Sequence, residues 1–215
     1  MRVSKEAEVR KNEILDAADQ LFGQKGFDGT STNDILQQVG IARGTLYYHF
    51  KSKEDIMDAL IERYSDRLFT VAREVAADQR VAVYERITRV ILALNLSGPS
   101  DKQIMEHIHK PQNARMHQKI QKAILQGLTP ILADLIREGI QQGLFRTPYP
   151  YECMEMVVAY ANTVFDEDMV ELNEEERATR IQALVFNLER LLGADSGSLA
   201  SFVMRMFENG SEDGK

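Results

Sequence analysis

Apolar residues recur about every three or four positions along most of this chain, which is the spacing of amphipathic helices and not of strands. The first clear segment covers residues 8–26, and one stripe along it is formed by Ile14, Ala17, Ala18, Leu21 and Phe22. Gly26 follows a basic Lys25, and a glycine readily adopts the left-handed conformation that closes a helix. The pattern therefore predicts a helix that ends near Gly26, with Phe27 placed in the core.

Two shorter helices are predicted next, between Ser31 and His49. Ser31 is a good N-cap, and Asp34, three residues later, gives an approximate capping box. Gly40 ends this helix, and after a two-residue link a short helix follows near Arg43 to His49. Two short helices joined by a tight glycine turn are typical of a helix-turn-helix.

The remainder of the chain also shows helical periodicity, interrupted at glycine and proline. A long helix is predicted from Ser52 to about Val75, and another, kinked near Pro130, follows a break at Pro111. The other segments with an apolar stripe are 80–96, 101–110, 151–167, 173–192 and 199–207. The pattern predicts an all-α protein with three parts: an N-terminal three-helix helix-turn-helix domain (1–51), a larger helical domain (52–192), and a flexible link with an amphipathic tail helix (193–215).

Two of these helices, near 150–168 and 174–192, are apolar over more of their surface than one modest domain can cover. Pairing each of them with its copy in a second molecule would give a four-helix interface around a two-fold axis. The alternative is that both helices belong to the core of a monomer. The pattern favours a homodimer.

Composition limits the environment and the partners of this chain. No run of about eighteen apolar residues exists, so no membrane span is expected, and the N-terminus lacks the apolar core of a signal peptide. Cys153 is the only cysteine among 215 residues, which excludes an internal disulfide and fits a reducing cytoplasm. The net charge of −7 disfavours unspecific nucleic-acid binding, but residues 41–53 contain Arg43, Lys51 and Lys53 and no acidic residue. A cytoplasmic protein with one small basic surface is expected.

The densest cluster of aromatic residues, TLYYHF, lies inside this basic segment. Leu46 and Phe50 share the inward face of the predicted short helix, which leaves a set of hydrogen-bonding side chains facing outward: Arg43, Thr45, Tyr47, Tyr48 and His49. Such side chains contact phosphates, base edges and thymine methyl groups, so the short helix is predicted to be a recognition helix in the major groove. Lys53 and the N-terminus of the next helix are expected to meet the same DNA backbone. The alternative for each tyrosine is packing against a neighbouring helix.

Residues from about Val9 to Tyr64 resemble the DNA-binding domain of the TetR family of bacterial transcriptional regulators, through the motif ILDAADQLFGQKGFDGTSTNDILQQVGIARGTLYYHFKSKEDIMDALI. The resemblance implies three groups of contacts with double-stranded DNA: phosphates for Ser31, Thr32 and Lys53; bases for Arg43, Gly44 and Thr45; backbone or thymine methyl groups for Tyr47, Tyr48 and His49. The chain departs from the family at Ala42, where serine or threonine is common, and so lacks a helix cap worth roughly 1 kcal/mol.

The same resemblance implies that 52–192 is a ligand-binding and dimerisation domain. The protein would then be a dimeric repressor that a small-molecule effector releases from a palindromic operator with half-sites about 34 Å apart. Methionine, histidine and aromatic residues are the candidates for the effector pocket: Met105, His107, Met116, Tyr160 and Phe165. A lining of this kind suits a mainly hydrophobic effector, and the alternative for each residue is an ordinary core position.

Other classes of function have little support in the sequence. His107 and His109 would point about 200° apart on a helix, and Pro111 separates them from His117, so no metal site is expected. No glycine-rich phosphate loop, paired metal motif or nucleophile elbow occurs, so we expect no catalytic residues and no cofactor. A helical interaction module without sequence-specific DNA binding is the alternative function, but it leaves the segment 31–53 unexplained.

Overall fold

A computed structural model describes residues 2–95, 113–166 and 169–200, and within these ranges it contains helices and no strands. The helices of the described ranges are, in order, α1 (Arg2–Gly29), α2 (Thr32–Val39), α3 (Arg43–His49), α4 (Lys53–Ala77), α5 (Val83–Asn95), α6 (Ala114–Gln141), α7 (Pro150–Val164) and α8 (Glu174–Leu192). The predicted all-α fold is confirmed. The predicted helix at 101–110 and most of the one at 199–207 lie outside the described residues. None of the described helices combines the length and apolar character that a membrane span requires.

The described chain packs into two compact units. The first contains the residues up to Asp66 together with 113–123, and the second contains 67–95 and the residues from Ile124 onward. Both boundaries fall inside continuous helices, because the early residues of α4 and α6 contribute to one apolar core and their later residues to the other. The division by packing therefore differs from the boundary at residue 51 that the sequence predicted.

The first unit has its core where the sequence predicts it. Its largest buried side chains lie on α1, α2, α3 and the start of α4: Ile14, Phe22, Phe27, Ile35, Leu46, Ile56, Met57 and Leu60. Gly26, with φ 76° and ψ 163°, interrupts the helical path of α1, a conformation that other residues rarely adopt. The ring of Phe27 then meets that of Phe22 edge-on, with centroids 5.2 Å apart. The predicted end of the helix near Gly26 and the buried Phe27 are both confirmed.

The second unit has a core formed by the apolar faces of five helices, α4 to α8. Among its fully buried members are Val83, Ile136, Phe145 and Leu192. The charged side chain of Arg86 on α5 is buried as well: it donates to the carbonyl oxygen of Ala76 at 2.8 Å and forms an ion pair with Glu138 of α6. Arg86 therefore connects α5 to the end of α4 and to α6.

Residues 193–200, which the sequence predicted to begin a flexible link, are instead bonded to the second unit. The Glu189 carboxylate accepts hydrogen bonds from the backbone N–H groups of Gly197 at 2.9 Å and Leu199 at 3.0 Å. The Leu199 side chain is buried in the core. A buried carboxylate with two backbone donors fixes this segment, and such a pairing across eight to ten residues is not visible in local periodicity.

Candidate nucleic-acid interface

The N-terminus of α2 is fixed by a complete capping box, as the sequence predicts. The Asp34 N–H donates to the Ser31 hydroxyl oxygen at 3.1 Å, and the Ser31 N–H donates to the Asp34 carboxylate at 2.8 Å. Lys25 of α1 pairs with this carboxylate at 2.8 Å, and this bond, together with those from Ser31, holds the pKa of Asp34 well below its usual range. The Ser31 hydroxyl also donates to the Asp34 carboxylate, with 2.5 Å between the two oxygens. Contact between that hydroxyl and a phosphate would therefore require the proton to rotate away from Asp34.

Gly40 forms the tight turn that separates α2 from α3. It adopts the left-handed conformation, with φ 73° and ψ 37°, and its N–H donates to the carbonyl of Leu36 at 2.9 Å. Ala42 then precedes α3 in an extended conformation and provides no side-chain cap. The predicted helix-turn-helix is confirmed, and so is the absence of a cap at Ala42.

The recognition helix α3 has one buried face and one exposed face. Leu46 and Phe50 are buried in the core of the first unit. Tyr48 is 78% exposed and Tyr47 is 44% exposed, so neither phenol is covered by a neighbouring helix within the described structure. His49 is half-buried, and its ring contacts that of Tyr48 at 4.9 Å between centroids. The exposure favours the DNA-contact interpretation of both tyrosines over the packing alternative.

Two further positions at the start of α3 are open to solvent. A Cβ atom built at Gly44 would meet no atom within 4 Å, so nothing in the described fold requires a glycine at this helical position. The exposed Arg43 guanidinium reaches back to α2, where it donates to the Asn33 side-chain oxygen at a long 3.4 Å. Thr45 and Thr32 are both half-buried. Sequence reasoning missed Asn33, because its link to Arg43 crosses the turn.

The ammonium of Lys53, which the sequence predicts to meet the DNA backbone, is bonded inside the first unit. Its Nζ donates to the carbonyl oxygens of Phe27 at 2.5 Å and Thr30 at 2.7 Å, and it lies 4.3 Å from the centroid of the Phe27 ring. Ser52 caps α4 as predicted, since its hydroxyl accepts from the Asp55 N–H at 3.0 Å and donates to the Asp55 carboxylate at 2.8 Å. These bonds lower the pKa of Asp55, with the Ser52 hydroxyl as the main cause.

Asn113, immediately before α6, is a buried residue of the first unit that sequence reasoning did not single out. Its side-chain oxygen accepts from the Phe27 N–H at 2.9 Å, and its amide nitrogen donates to the carbonyl of Phe22 at 3.2 Å. Only 1% of Asn113 is exposed. The partners lie 86 and 91 residues away in sequence, so no local pattern could have indicated this contact.

Of the five predicted effector-pocket residues, the structure describes Met116, Tyr160 and Phe165. Met105 and His107 lie outside the described residues. Met116 is buried in the core of the first unit, whereas Tyr160 and Phe165 belong to the second, with ring centroids 6.0 Å apart. A groove of about 510 Å³ in the second unit lies between α4 and α6 and is lined by other side chains, among them Arg73, Ile131 and Glu138.

A second groove, of about 380 Å³, runs between α7 and α8, and Tyr160 is part of its lining. Two apolar side chains that line it are open to solvent, since Met156 is 58% exposed and Leu191 is 37% exposed, and Phe186 of α8, whose ring lies under the Arg190 guanidinium, is 53% exposed. Each helix buries only its other face, through Cys153, Met154 and Val158 on α7 and through Val185 and Leu192 on α8. An unpaired apolar surface of this kind is typical of a protein–protein interface.

Comparison with known proteins agrees with this geometry. Residues 14–60 match the model of bacterial regulatory proteins of the tetR family, and residues 97–186 match the model of the tetracyclin repressor-like C-terminal domain. The first match contains α2 and α3 in full, and the two together cover more than half of the chain.

Individual relatives are regulators of the same kind. The HTH-type transcriptional repressor KstR2 of Mycobacterium tuberculosis (strain ATCC 25618 / H37Rv) is 27% identical over 149 residues, which cover 67% of this chain and 74% of that protein. The fatty acid metabolism regulator protein of Bacillus subtilis (strain 168) is 32% identical over 135 residues, which cover 61% of this chain and 68% of that protein. The solved structure of SmeT, the repressor of the Stenotrophomonas maltophilia multidrug efflux pump SmeDEF, shares the fold with a TM-score of 0.65 at 22% identity, over 87% of this chain and 91% of that one. The chain therefore belongs to the TetR family of bacterial regulators, and it is a DNA-binding transcriptional regulator and not an enzyme.

Proposed function

We propose that this protein is a dimeric repressor that binds a palindromic operator and is released by a mainly hydrophobic small molecule. The observation that carries the proposal is the exposed face of α3. Its inner side chains, Leu46 and Phe50, are buried, while Tyr47, Tyr48 and Arg43 are exposed and belong to a segment, 41–53, that contains no acidic residue. A face of this kind offers phosphate donors and base-edge donors to a major groove.

Within this proposal the contacts divide by chemistry. Arg43, Gly44 and Thr45 at the start of α3 approach the bases, with Gly44 allowing close approach of the backbone. Tyr47, Tyr48 and His49 contact the DNA backbone or thymine methyl groups, and the N-terminus of α2, with Ser31 and Thr32, meets a phosphate. The ammonium of Lys53, the first residue of α4, is already bonded to the carbonyl oxygens of Phe27 and Thr30.

Dimerisation is proposed through the apolar groove between α7 and α8. Two copies of each helix would form a four-helix interface and cover Met156, Phe186 and Leu191. A two-fold dimer presents two copies of α3, and an operator read by both is a palindrome with half-sites about 34 Å apart.

An effector must bind one state of this dimer better than the other. To change the operator from almost fully occupied to almost fully free requires about a 10⁴-fold difference in affinity, roughly 5.5 kcal/mol. A similar regulator is named for fatty acid metabolism, which supports a hydrophobic effector. The second unit has a groove of drug-like size between α4 and α6, partly lined by Ala76, Ile131 and Leu135. We place the protein in the cytoplasm, where its DNA target is.

The test is selection of bound duplexes from a random pool by the purified full chain at moderate salt, repeated with Tyr47→Ala/Tyr48→Ala. The wild type is expected to recover a palindrome, and the double variant is expected to recover none while remaining a dimer. Tyr149→Ala, which removes a tyrosine of the second unit that is 63% exposed, is the matched control and should recover the same palindrome. If the wild type recovers no consensus, the alternative of a helical interaction module without sequence-specific DNA binding takes the place of the repressor.

A further inference from the structure

One buried guanidinium, that of Arg86, is bonded to two residues that line the groove between α4 and α6. It donates to the carbonyl oxygen of Ala76 at 2.8 Å and is paired with the Glu138 carboxylate. We propose that an anionic ligand takes the place of Glu138 on this guanidinium, and that the effector is therefore an amphipathic carboxylate. This inference rests on the proposed release of the repressor by a small molecule, and it names the chemical class of that molecule.

The Arg86 guanidinium is only partly satisfied by the protein. Its Nη1 donates to Ala76 and its Nη2 to Oε1 of Glu138, whereas its Nε is buried and has no acceptor among the described residues. Nε and Nη2 form one edge of the planar group, and the two parallel N–H bonds of that edge match the two oxygens of a carboxylate. A buried N–H without an acceptor is unfavourable. Glu138 therefore uses half of an edge that fits a complete carboxylate.

Glu138 can leave this position more easily than Arg86 can. Its side chain is 30% exposed, whereas that of Arg86 is 3% exposed. Glu138 also has a second partner, because the Gln142 amide donates to the same oxygen at 3.0 Å. A buried guanidinium is strongly destabilising without a counter-charge. Exchange of Glu138 for the carboxylate of a ligand would keep the charge compensated and would also give Nε an acceptor.

The remainder of the groove suits an apolar chain attached to that carboxylate. Its volume is about 510 Å³, and it has a set of apolar lining residues: Ala76, Ala77, Pro130, Ile131 and Leu135. Two further charged residues line it. Asp134 is paired with Arg137, whereas Arg73 forms no hydrogen bond or ion pair with the described residues. The balance of charge along the groove therefore favours an anionic ligand over a cationic one.

The test compares two probes with the same chain, octanoate and its uncharged methyl ester, by calorimetry on the purified full-length protein. A purely apolar groove would prefer the ester, because the carboxylate must lose its hydration. We expect the wild type instead to prefer octanoate by at least about tenfold. Arg86→Lys keeps the buried charge but cannot present two parallel N–H bonds, so it should reduce the preference to less than about threefold.

Two carboxylates of the groove give a matched pair of variants. Glu138→Gln removes the anion that competes for Arg86, so it should bind octanoate at least about tenfold more tightly than the wild type does. Asp134→Asn removes a carboxylate that lines the same groove but is paired with the exposed Arg137, so it should change the affinity by less than about twofold. If Glu138→Gln does not fold alone, octanoate should restore folding and the ester should not, because only octanoate returns the counter-charge.

Three results would overturn the inference. Equal binding of the two probes by the wild type would mean that the groove has no anion site. An equal gain from Glu138→Gln and Asp134→Asn would reduce the effect to net charge. A preference that is lost in Arg73→Met but kept in Arg86→Lys would place the carboxylate on the exposed Arg73.

These measurements use no DNA, so their failure is distinguishable from failure of the proposed function. A wild type that prefers octanoate but selects no duplex would overturn the repressor and retain the carboxylate site. A wild type that selects a palindrome but does not prefer octanoate would overturn the carboxylate site and retain the repressor.

Discussion

Individual residues of the first unit fall into two groups. One group holds the helix-turn-helix in place, and the other forms the exposed face of α3 that we propose contacts DNA. Asp34, Lys25 and Ser31 form one bonded cluster at the start of α2. Gly44 and Tyr48 have few contacts within the described fold and are open to solvent. Substitutions in the first group should lower stability, and substitutions in the second group should lower DNA affinity without loss of stability.

Gly44→Ala should move stability and DNA affinity in opposite directions. An alanine in helical conformation stabilises by about 0.5–1 kcal/mol relative to glycine, and its Cβ would meet no protein atom within 4 Å. The same methyl group would obstruct close approach to the DNA, so we expect at least about a tenfold loss of operator affinity, near 1.4 kcal/mol. Thermal unfolding and fluorescence anisotropy measure the two effects. Gly29→Ala, whose Cβ would lie 3.7 Å from that of Lys25, is the control and should leave affinity unchanged.

Asp34 should give the first unit a stability that depends on pH. Its pKa in the folded protein lies well below the value near 3.8 of an unperturbed aspartate, mainly because Lys25 and Ser31 donate to the carboxylate. The stabilisation is therefore fully present above about pH 4 and is lost as the pH falls toward the folded-state pKa. Urea unfolding midpoints of the wild type and Asp34→Asn should differ clearly near about pH 6, and the difference should shrink steadily as the pH falls below about 4. A difference that stays constant or grows toward low pH would contradict this role.

Among the elements, the second unit depends on a buried polar connection between three helices. Arg86 of α5 binds the Ala76 carbonyl near the end of α4 and the Glu138 carboxylate of α6. The Arg86 side chain is 3% exposed, whereas that of Glu138 is 30% exposed. Loss of Glu138 would therefore leave an uncompensated charge in the core, whereas loss of Arg86 would leave a carboxylate that is partly in solvent.

A double-mutant cycle on this pair should show an asymmetry. Glu138→Leu leaves a buried guanidinium without a counter-charge and should lower the free energy of unfolding by about 3–5 kcal/mol. Arg86→Met should cost less, about 1–3 kcal/mol, because water can reach the remaining carboxylate. The double variant should be more stable than the sum of the single effects predicts. Additive losses in urea unfolding would mean that the two charges are not coupled.

For the whole molecule, the dimer interface proposed at the apolar groove between α7 and α8 would connect oligomeric state to DNA binding. Exposed Met156 and Leu191 are the kind of side chains that a two-fold partner covers. Because one α3 contacts only one half-site, the affinity of the intact protein for a palindrome depends on joining two copies.

Met156→Glu/Leu191→Glu should convert the dimer into a folded monomer. Light scattering should report half the wild-type mass, and affinity for the palindrome should fall by at least about 100-fold. Met169→Glu replaces a methionine that is 60% exposed and is not part of the groove lining, so it should remain a dimer with wild-type affinity. A dimeric double variant would place the interface elsewhere.

Local sequence signals determined much of this fold. The stripe from Ile14 to Phe22, the cap at Ser31, the turn at Gly40 and the inward pair Leu46 and Phe50 all result from helical periodicity and backbone preference. Each of these features depends on residues that are close together in the chain, so the sequence alone is enough to predict it. The exposure of the tyrosines of α3 could be predicted for the same reason. Once Leu46 and Phe50 define the buried face of the helix, the remaining side chains must lie on the opposite, exposed face.

Contacts between distant residues were decided only by the tertiary structure. The bonds from Lys53 to Phe27 and Thr30, the amide bridge of Asn113, and the burial of Met116 in the first unit join residues far apart in sequence. Periodicity indicates that a side chain is polar and near a helix end, but not which carbonyl or phosphate it will meet. The partner of a long, flexible charged side chain depends on which backbone atoms the fold brings within reach, and for Lys53 these belong to the end of α1.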